Sequence, residues 1–285
     1  MEDKDIDVMI AGGQIKFDFD LLEENTIEES PLSKTLIKAV SYDWIKEEVL
    51  FVVVKAYHDE VIKDMPNLSL CGKKMIDWVL NAGSGCQTKI IEDCEDIISR
   101  VRGISTDKKI IAVFYSDTPL LDKASFNNFC QYFSSRNMNF IKLSRGFLVK
   151  TEFLRENYNI AQGTSELDDK CLLIMDSAKK INYASNILYN NISTYHIKNG
   201  VIIYGQNTVF IDADVEIDAG VVIYPNNIIK GQSIIEEGAI IESGNIIDNS
   251  IISSNVKIKS SYVENSKISE NKEIEPFSKI IGQEL

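Results

Sequence analysis

Isoleucine recurs every six residues from Phe210 onward, with Ile211, Ile217, Ile223, Ile229, Ile235, Ile241 and Ile247 in one unbroken register. An amphipathic helix repeats its apolar face about every 3.6 residues and a half-buried strand about every two, so a sixfold period belongs to neither. It is the period of a parallel β-helix, in which short strands stack rung upon rung and the repeated aliphatic residue forms an internal ladder. The positions two residues before each Ile are Val209, Val215, Val221, Asn227, Ser233, Ala239 and Asn245. These are slim groups suited to a tight corner, and Asn in such a column can hydrogen-bond along the stack. After Ile247 the register slips: Ser253 sits where Ile is due, while Ile246, Ile252 and Ile258 carry the spacing one position earlier. A second slip leads to Ile268, Ile274 and Ile280. One coil of three hexads cannot bury its apolar face alone, so the segment reads as a solenoid of roughly four to five coils. The alternative, an Ile-rich antiparallel sandwich, would show period two and regularly spaced turn clusters.

The chain has 285 residues, enough for two domains with substantial cores. Its formal net charge of -13 argues against a broad basic footprint for nucleic acid or an anionic membrane. A phosphorylated ligand would have to be met by a local cluster of cations. Five cysteines, Cys71, Cys86, Cys94, Cys130 and Cys171, show neither CxxC pairs nor zinc spacing and read as reduced thiols. With only His58 and His196 present, a His-rich metal site is not expected. The acidic start MEDKDIDVMIAGG is too short in apolar run to be expected as a signal peptide, and no apolar run approaches the length of a membrane span. The expectation is a soluble, cytoplasmic protein.

Upstream of the solenoid, apolar runs alternate with helical patterns. VLFVVV (Val49 to Val54) and IIAVFY (Ile110 to Tyr115) are continuous β-branched runs of the kind found in central parallel strands covered on both faces. Helix candidates are Ser33 to Glu47, Lys73 to Asn81, Asp122 to Phe133 and Ser177 to Tyr189; weaker strands are Asp7 to Ile10, Thr88 to Ile91 and Phe140 to Leu143. Asn157 to Lys170 reads as a surface loop. Strands alternating with helices predict a three-layer α/β, Rossmann-like domain. Ligands of such sheets bind beyond the carboxyl ends of the strands. There SDTPLL places Asp117, which could hold a divalent cation or cap the next helix, as could Asp122 or Ser125; the local pattern favours a cap. Gly12 and Gly13 read more readily as a hairpin or bulge than as a displaced phosphate loop.

Three segments carry a resemblance. His196 to Gly231 (HIKNGVIIYGQNTVFIDADVEIDAGVVIYPNNIIKG) closely resembles the junction between the pyrophosphorylase domain and the left-handed β-helix in the bifunctional N-acetylglucosamine-1-phosphate uridyltransferase/acetyltransferase family, and the match runs on through Pro276 and Phe277. YSDTPLL is similar to that family's strand-end motif, whose Asp is a magnesium ligand, and LCGKKMIDWVL (Leu70 to Leu80) to a segment with Gly-Lys-Pro-Met. The resemblance implies a nucleotidyltransferase-like domain over residues 1–195 and a left-handed parallel β-helix over 196–285. It further implies a nucleotide or nucleotide-sugar ligand and a homotrimer assembled through the solenoid. By the same likeness Asp117 and Asp176 would hold Mg2+, and Lys55, Lys73 and Lys74 would face the phosphates.

The departures matter as much. The family places a glycine-rich Gly-Thr-Arg-Met loop and a Leu-Pro-Lys before Gly72 and Lys73, because amides and cations must meet the phosphates. Here KAYHDEVIKDMPN (Lys55 to Asn67) has no glycine, puts Asp59 and Glu60 where donors are needed and has Asn67 where the lysine would be. Carboxylates beside a triphosphate repel it, and loss of the Arg and Lys removes transition-state stabilisation. Met175 aligns with the second magnesium ligand, so Asp176 would have to substitute by a shift of one residue; a thioether is a poor magnesium ligand. Ile281 falls near an Arg of the acetyltransferase part, whose later coils are absent, and no histidine follows His196 to act as general base. Acetyl transfer is not expected. The sequence therefore supports a catalytically impaired, trimeric nucleotide-sugar-binding or scaffold protein. The alternative is an active Mg-dependent nucleotidyltransferase on an unusual sugar or alcohol phosphate.

Overall fold

The computed structural model describes residues 7–10, 13–16, 42–57, 64–157, 166–167 and 169–285. The chain divides into two compact units, Met1–Tyr42 and Asp43–Leu285. In the first, β1 (Asp7–Ile10) pairs antiparallel with β2 (Gly13–Lys16), Ile10 facing Gly13, which is the hairpin expected at this glycine pair. Gly12, the stretch 17–41 that begins the expected Ser33 helix, and Asp59 and Glu60 lie outside the described residues.

The second unit opens with α1 (Asp43–Glu48) and β3 (Val49–Lys55), then the short antiparallel pair β4 (Ser69–Leu70) and β5 (Lys73–Lys74), and α2 (Met75–Ala82). There follow β6 (Gln87–Glu92), α3 (Ile97–Arg102), β7 (Ile110–Tyr115), α4 (Lys123–Ser135), β8 (Phe140–Leu143) and β9 (Gly146–Lys150). α5 (Thr151–Glu156), β10 (Glu166–Leu167) and α6 (Ala178–Lys198) complete it before the solenoid. Six strands form one mixed sheet in the order β10-β8-β9-β7-β3-β6. β3 lies parallel to both β6 and β7, as the two apolar runs predict, whereas β9 runs antiparallel to β7 and β8.

Side chains alternate across a strand, so each apolar run feeds two cores. Phe51, Val53, Ala112 and Phe114 pack against Phe126, Phe129 and Phe133 of α4 on one face. Leu50, Val52, Ile111 and Val113 pack against Val101 of α3 and Leu154 of α5 on the other. The layers are thus helix, sheet, helix. α4 starts where Asp122 accepts the Ser125 N–H at 2.7 Å, so the cap is Asp122 and not Asp117, which the local pattern favours for that role. α6 extends well beyond Tyr189 and runs through the expected junction at 195/196; its N-cap is Ser177.

From Ile202 the strands stack in three parallel ladders of five, five and four, a parallel β-helix of the expected size. Ile211, Ile229, Ile247, Val263 and Ile280 form one inward column; Ile223, Ile241, Ile258 and Ile274 another; Ile217, Ile235, Ile252 and Ile268 the third. All but Ile217 are buried. The slim column also behaves as its residue types suggest: Asn245 donates from both its backbone N–H (2.8 Å) and its amide (3.0 Å) to Asn227 Oδ1, and Ser261 N–H donates to Asn245 Oδ1 at 3.0 Å. A parallel serine ladder runs from Ser233 through Ser250 to Ser266, each hydroxyl accepting the next rung's N–H.

The register slips come from shortened corners. Lys230-Gly231-Gln232-Ser233 becomes Asp248-Asn249-Ser250 one coil later, and Ser250 stacks on Ser233 although one residue has been lost. The corner residue keeps a left-handed backbone, with φ +68° at Gly231 and +46° at Asn249. A Cβ at 231 would lie 2.2 Å from Asn249 Oδ1, so any larger residue there would displace the amide that accepts the Gln232 N–H.

Candidate functional site

β7 delivers Asp117 to the sheet edge where ligands of α/β sheets bind. β8 brings the chain to the same edge, and the turn into β9, which runs antiparallel to β7 with Val113 opposite Phe147, sets Arg145 beside Asp117. The return is tight: at Gly146, φ +125°, a Cβ would approach Val113 O to 2.2 Å. Asp117 is wholly buried, and both its oxygens are taken by one guanidinium: Arg145 Nε donates to Oδ1 at 3.1 Å and Nη2 to Oδ2 at 2.7 Å. The guanidinium also lies over the Tyr115 ring, 3.8 Å from its centroid. Such a bidentate pair supplies the charge and the hydrogen bonds that a buried carboxylate needs.

Met175 N–H donates to Asp117 O at 2.9 Å, so the segment carrying Asp176 does come alongside the end of β7. Met175 itself is a core residue, packed with Leu70, Met75, Ala184 and Leu188. Asp176 is partly exposed and pairs with Lys180 at 2.7 Å, which holds its carboxyl below the usual carboxylate range.

The three candidate lysines go to three different places. Lys55 ends β3 and pairs with its cross-strand neighbour Glu92 at 2.8 Å; Tyr57 Oη also donates to Glu92. The hydrogen bond to Glu92 raises the Lys55 pKa, and the same bond lowers that of Glu92. Lys73 reaches the solenoid and pairs with Asp214 at 2.9 Å, while its ammonium sits 5.7 Å from the Trp78 ring centroid. Lys74 is exposed.

The turn that carries Gly72 is a docking point between sheet domain and solenoid. Ala213 N–H donates to Cys71 O at 3.0 Å, and a Cβ on Gly72 would lie 2.7 Å from Asp212 Cβ. Burial pushes the Cys71 thiol up to about 11, and burial also raises the Asp212 carboxyl above its ordinary value. Among the described residues no group of three or more His, Cys, Asp or Glu is placed to hold a metal ion.

Arg145 had no place in the sequence reading. Its signal was present in SRGFLV, where a turn residue precedes a short apolar run, the pattern of a returning hairpin strand.

No protein-family model and no curated protein matches the sequence. Among solved structures, the chain is similar to Rv0371c from Mycobacterium tuberculosis H37Rv at 12% identity and a TM-score of 0.36, over 48% of this chain and 98% of that one. No helix among the described residues is long and apolar enough to cross a membrane.

Proposed function

We propose that this chain is a sugar-phosphate nucleotidyltransferase-like protein, related to UDP-N-acetylglucosamine pyrophosphorylase, that has lost turnover and acts as a trimeric nucleotide-sugar-binding or scaffold protein with a left-handed β-helix. The observation that carries the loss of turnover is the Asp117–Arg145 pair. A magnesium ligand must offer free oxygen lone pairs, and near-octahedral coordination demands several such oxygens together. Here the Asp117 carboxylate is wholly buried and its charge is paired with the Arg145 guanidinium, which bonds both oxygens, Met175 offers only a buried thioether, and Asp176 is engaged by Lys180. As arranged, these residues do not fit a magnesium ion.

Assembly is supported by the outward columns of the solenoid. Ile202, Val222 and Ile240 stack on one face, beside the Tyr204–Tyr224 ring pair with centroids 5.2 Å apart. Ile202 and Ile240 are 48% and 37% exposed, an apolar strip of the kind that subunit contacts cover.

Calorimetric titration with UTP, UDP-N-acetylglucosamine and other nucleotide sugars, with and without Mg2+, tests the binding half. The expected result is saturable binding with no accompanying pyrophosphate release. Robust magnesium-dependent release would overturn the loss of turnover.

One observation favours the active reading. The Met175–Asp117 backbone bond brings Asp176 close to Asp117 in the chain, as a two-carboxylate magnesium site would require. That reading expects turnover on an unusual sugar or alcohol phosphate that Asp117→Ala abolishes while the protein stays folded.

A further inference from the structure

A cleft of about 980 Å³ opens between the end of α6 and the first coil of the solenoid, far from the chemistry considered above in kind: its lining is acidic rather than basic. Asp214, Glu216 and Asp218 stand on one wall and the last turn of α6 supplies the other. Asp214 already holds an ammonium, that of Lys73 at 2.9 Å. Glu216 and Asp218 pair with no cation among the described residues. They are two positions apart on either side of Ile217, so along extended backbone their stems are separated by about 6.6 Å on the same side.

A second observation comes from the opposite wall. His196 lines the cleft, is only 4% exposed, and has no hydrogen-bond partner for its ring among the described residues. Its nitrogens are not among the sealed, unsatisfied polar atoms, so the ring reaches the cleft. A largely buried ring whose nitrogens stay accessible and have no protein partner is placed to meet a ligand in the cleft. Burial lowers the His196 pKa, which keeps the ring neutral at pH 7 with one lone pair to accept an N–H. A neutral ring offers one donor and one acceptor, so it can accept from a bound N–H, and the carboxylates of the facing wall favour a cationic donor.

We propose that this cleft binds a linear aliphatic polyamine, with ammonium groups on Glu216 and Asp218 and an N–H donated to His196. Alkyl amines whose nitrogens are separated by three or four methylenes span a distance of the same order as the Glu216–Asp218 spacing. The half-buried Ile234, stacked on Glu216 in the next coil, offers apolar surface for the methylenes. A cleft of this volume suits a small molecule rather than a folded partner. No three metal-ligating side chains converge here among the described residues, which favours an organic over a metal cation.

The test is calorimetric titration of the full chain with spermidine at physiological ionic strength. Three proteins are compared: wild type, Glu216→Gln/Asp218→Asn, and Glu237→Gln/Glu270→Gln. The last pair removes the same charge from exposed positions outside the cleft. The expected result is one saturable site in the wild type and in the outer variant, weakened about tenfold or more in the cleft variant. Equal weakening in both variants would reduce the effect to the diffuse attraction of an acidic protein, and absence of saturable wild-type binding would overturn the proposal outright. Neither result bears on nucleotide-sugar binding at the sheet edge.

Discussion

Arg145 grips both carboxylate oxygens of Asp117, at 3.1 and 2.7 Å, while its guanidinium covers the Tyr115 ring. The pair turns a strand-end carboxylate, where a nucleotidyltransferase would present a metal ligand, into a fastening between β7 and the turn before β9.

Breaking the pair from one side leaves a buried, uncompensated charge. Arg145→Ala is expected to lower unfolding stability by about 3 to 5 kcal/mol. Asp117→Ala/Arg145→Ala should cost less than the sum of the two single changes, because the second substitution removes the stranded partner. Urea denaturation of the four proteins in the cycle checks this; strict additivity would contradict a coupled pair.

In the solenoid, Asn245 links two rungs through Asn227 Oδ1 and the Ser261 N–H. Asn245→Ala orphans the Ser261 donor in a buried position and is expected to cost about 2 kcal/mol. A urea midpoint unchanged from wild type would show the ladder to be dispensable.

Asp212 gives a pH-dependent expectation. Burial is the main cause of its raised pKa, partly opposed by the Gly231 N–H, which donates to its Oδ2 at 3.3 Å. The folded state therefore binds the proton more tightly than the unfolded chain, and stability from this group falls as pH rises from the ordinary Asp value of about 3.9 through the raised one. Asp212→Asn removes that loss. It should raise the thermal midpoint at pH 7 and leave it nearly unchanged below pH ~3.5. A lower midpoint at pH 7 would mean that the charged form makes a contact worth more than its desolvation.

Thiol reactivity should follow burial. Cys130 and Cys71 are buried, and burial raises both thiols along with the Cys171 thiol, which reaches about 12; Cys94 alone is exposed. Brief alkylation at pH 7.5 should label Cys94 first, as read by peptide mass mapping. Equal labelling of Cys130 would contradict the packing of α4 on the sheet.

The sequence displayed the parts whose physics is periodic and local. The isoleucine ladder, the slim corner column and the two β-branched runs are each set by burial, and burial leaves a regular trace. The Ser177 start was legible because a helix start needs a local side-chain acceptor, whereas for α4 the local pattern left Asp117, Asp122 and Ser125 as candidates and only the structure selects Asp122. β9 and α3 were not expected: β9 carries its apolar residues as one short run directly after a turn, and α3 mixes Arg100 and Arg102 into a six-residue helix with no clear apolar period. The partners of Lys55, Lys73 and Asp117 were illegible for a different cause: Glu92, Asp214 and Arg145 are brought there by strand pairing and domain packing, not by spacing along the chain. α6 overran its expected end because Ile192 and His196 continue its buried side as it packs against the solenoid.

The most direct measurement of the central claim is pyrophosphate release in Mg2+ from a panel of nucleoside triphosphates, UTP included, with sugar 1-phosphates. The Asp117–Arg145 clamp predicts no release above the uncatalysed background for the wild type. Magnesium-dependent release that disappears in Asp117→Asn would show that the carboxylate leaves Arg145 to take a metal, and would contradict the account.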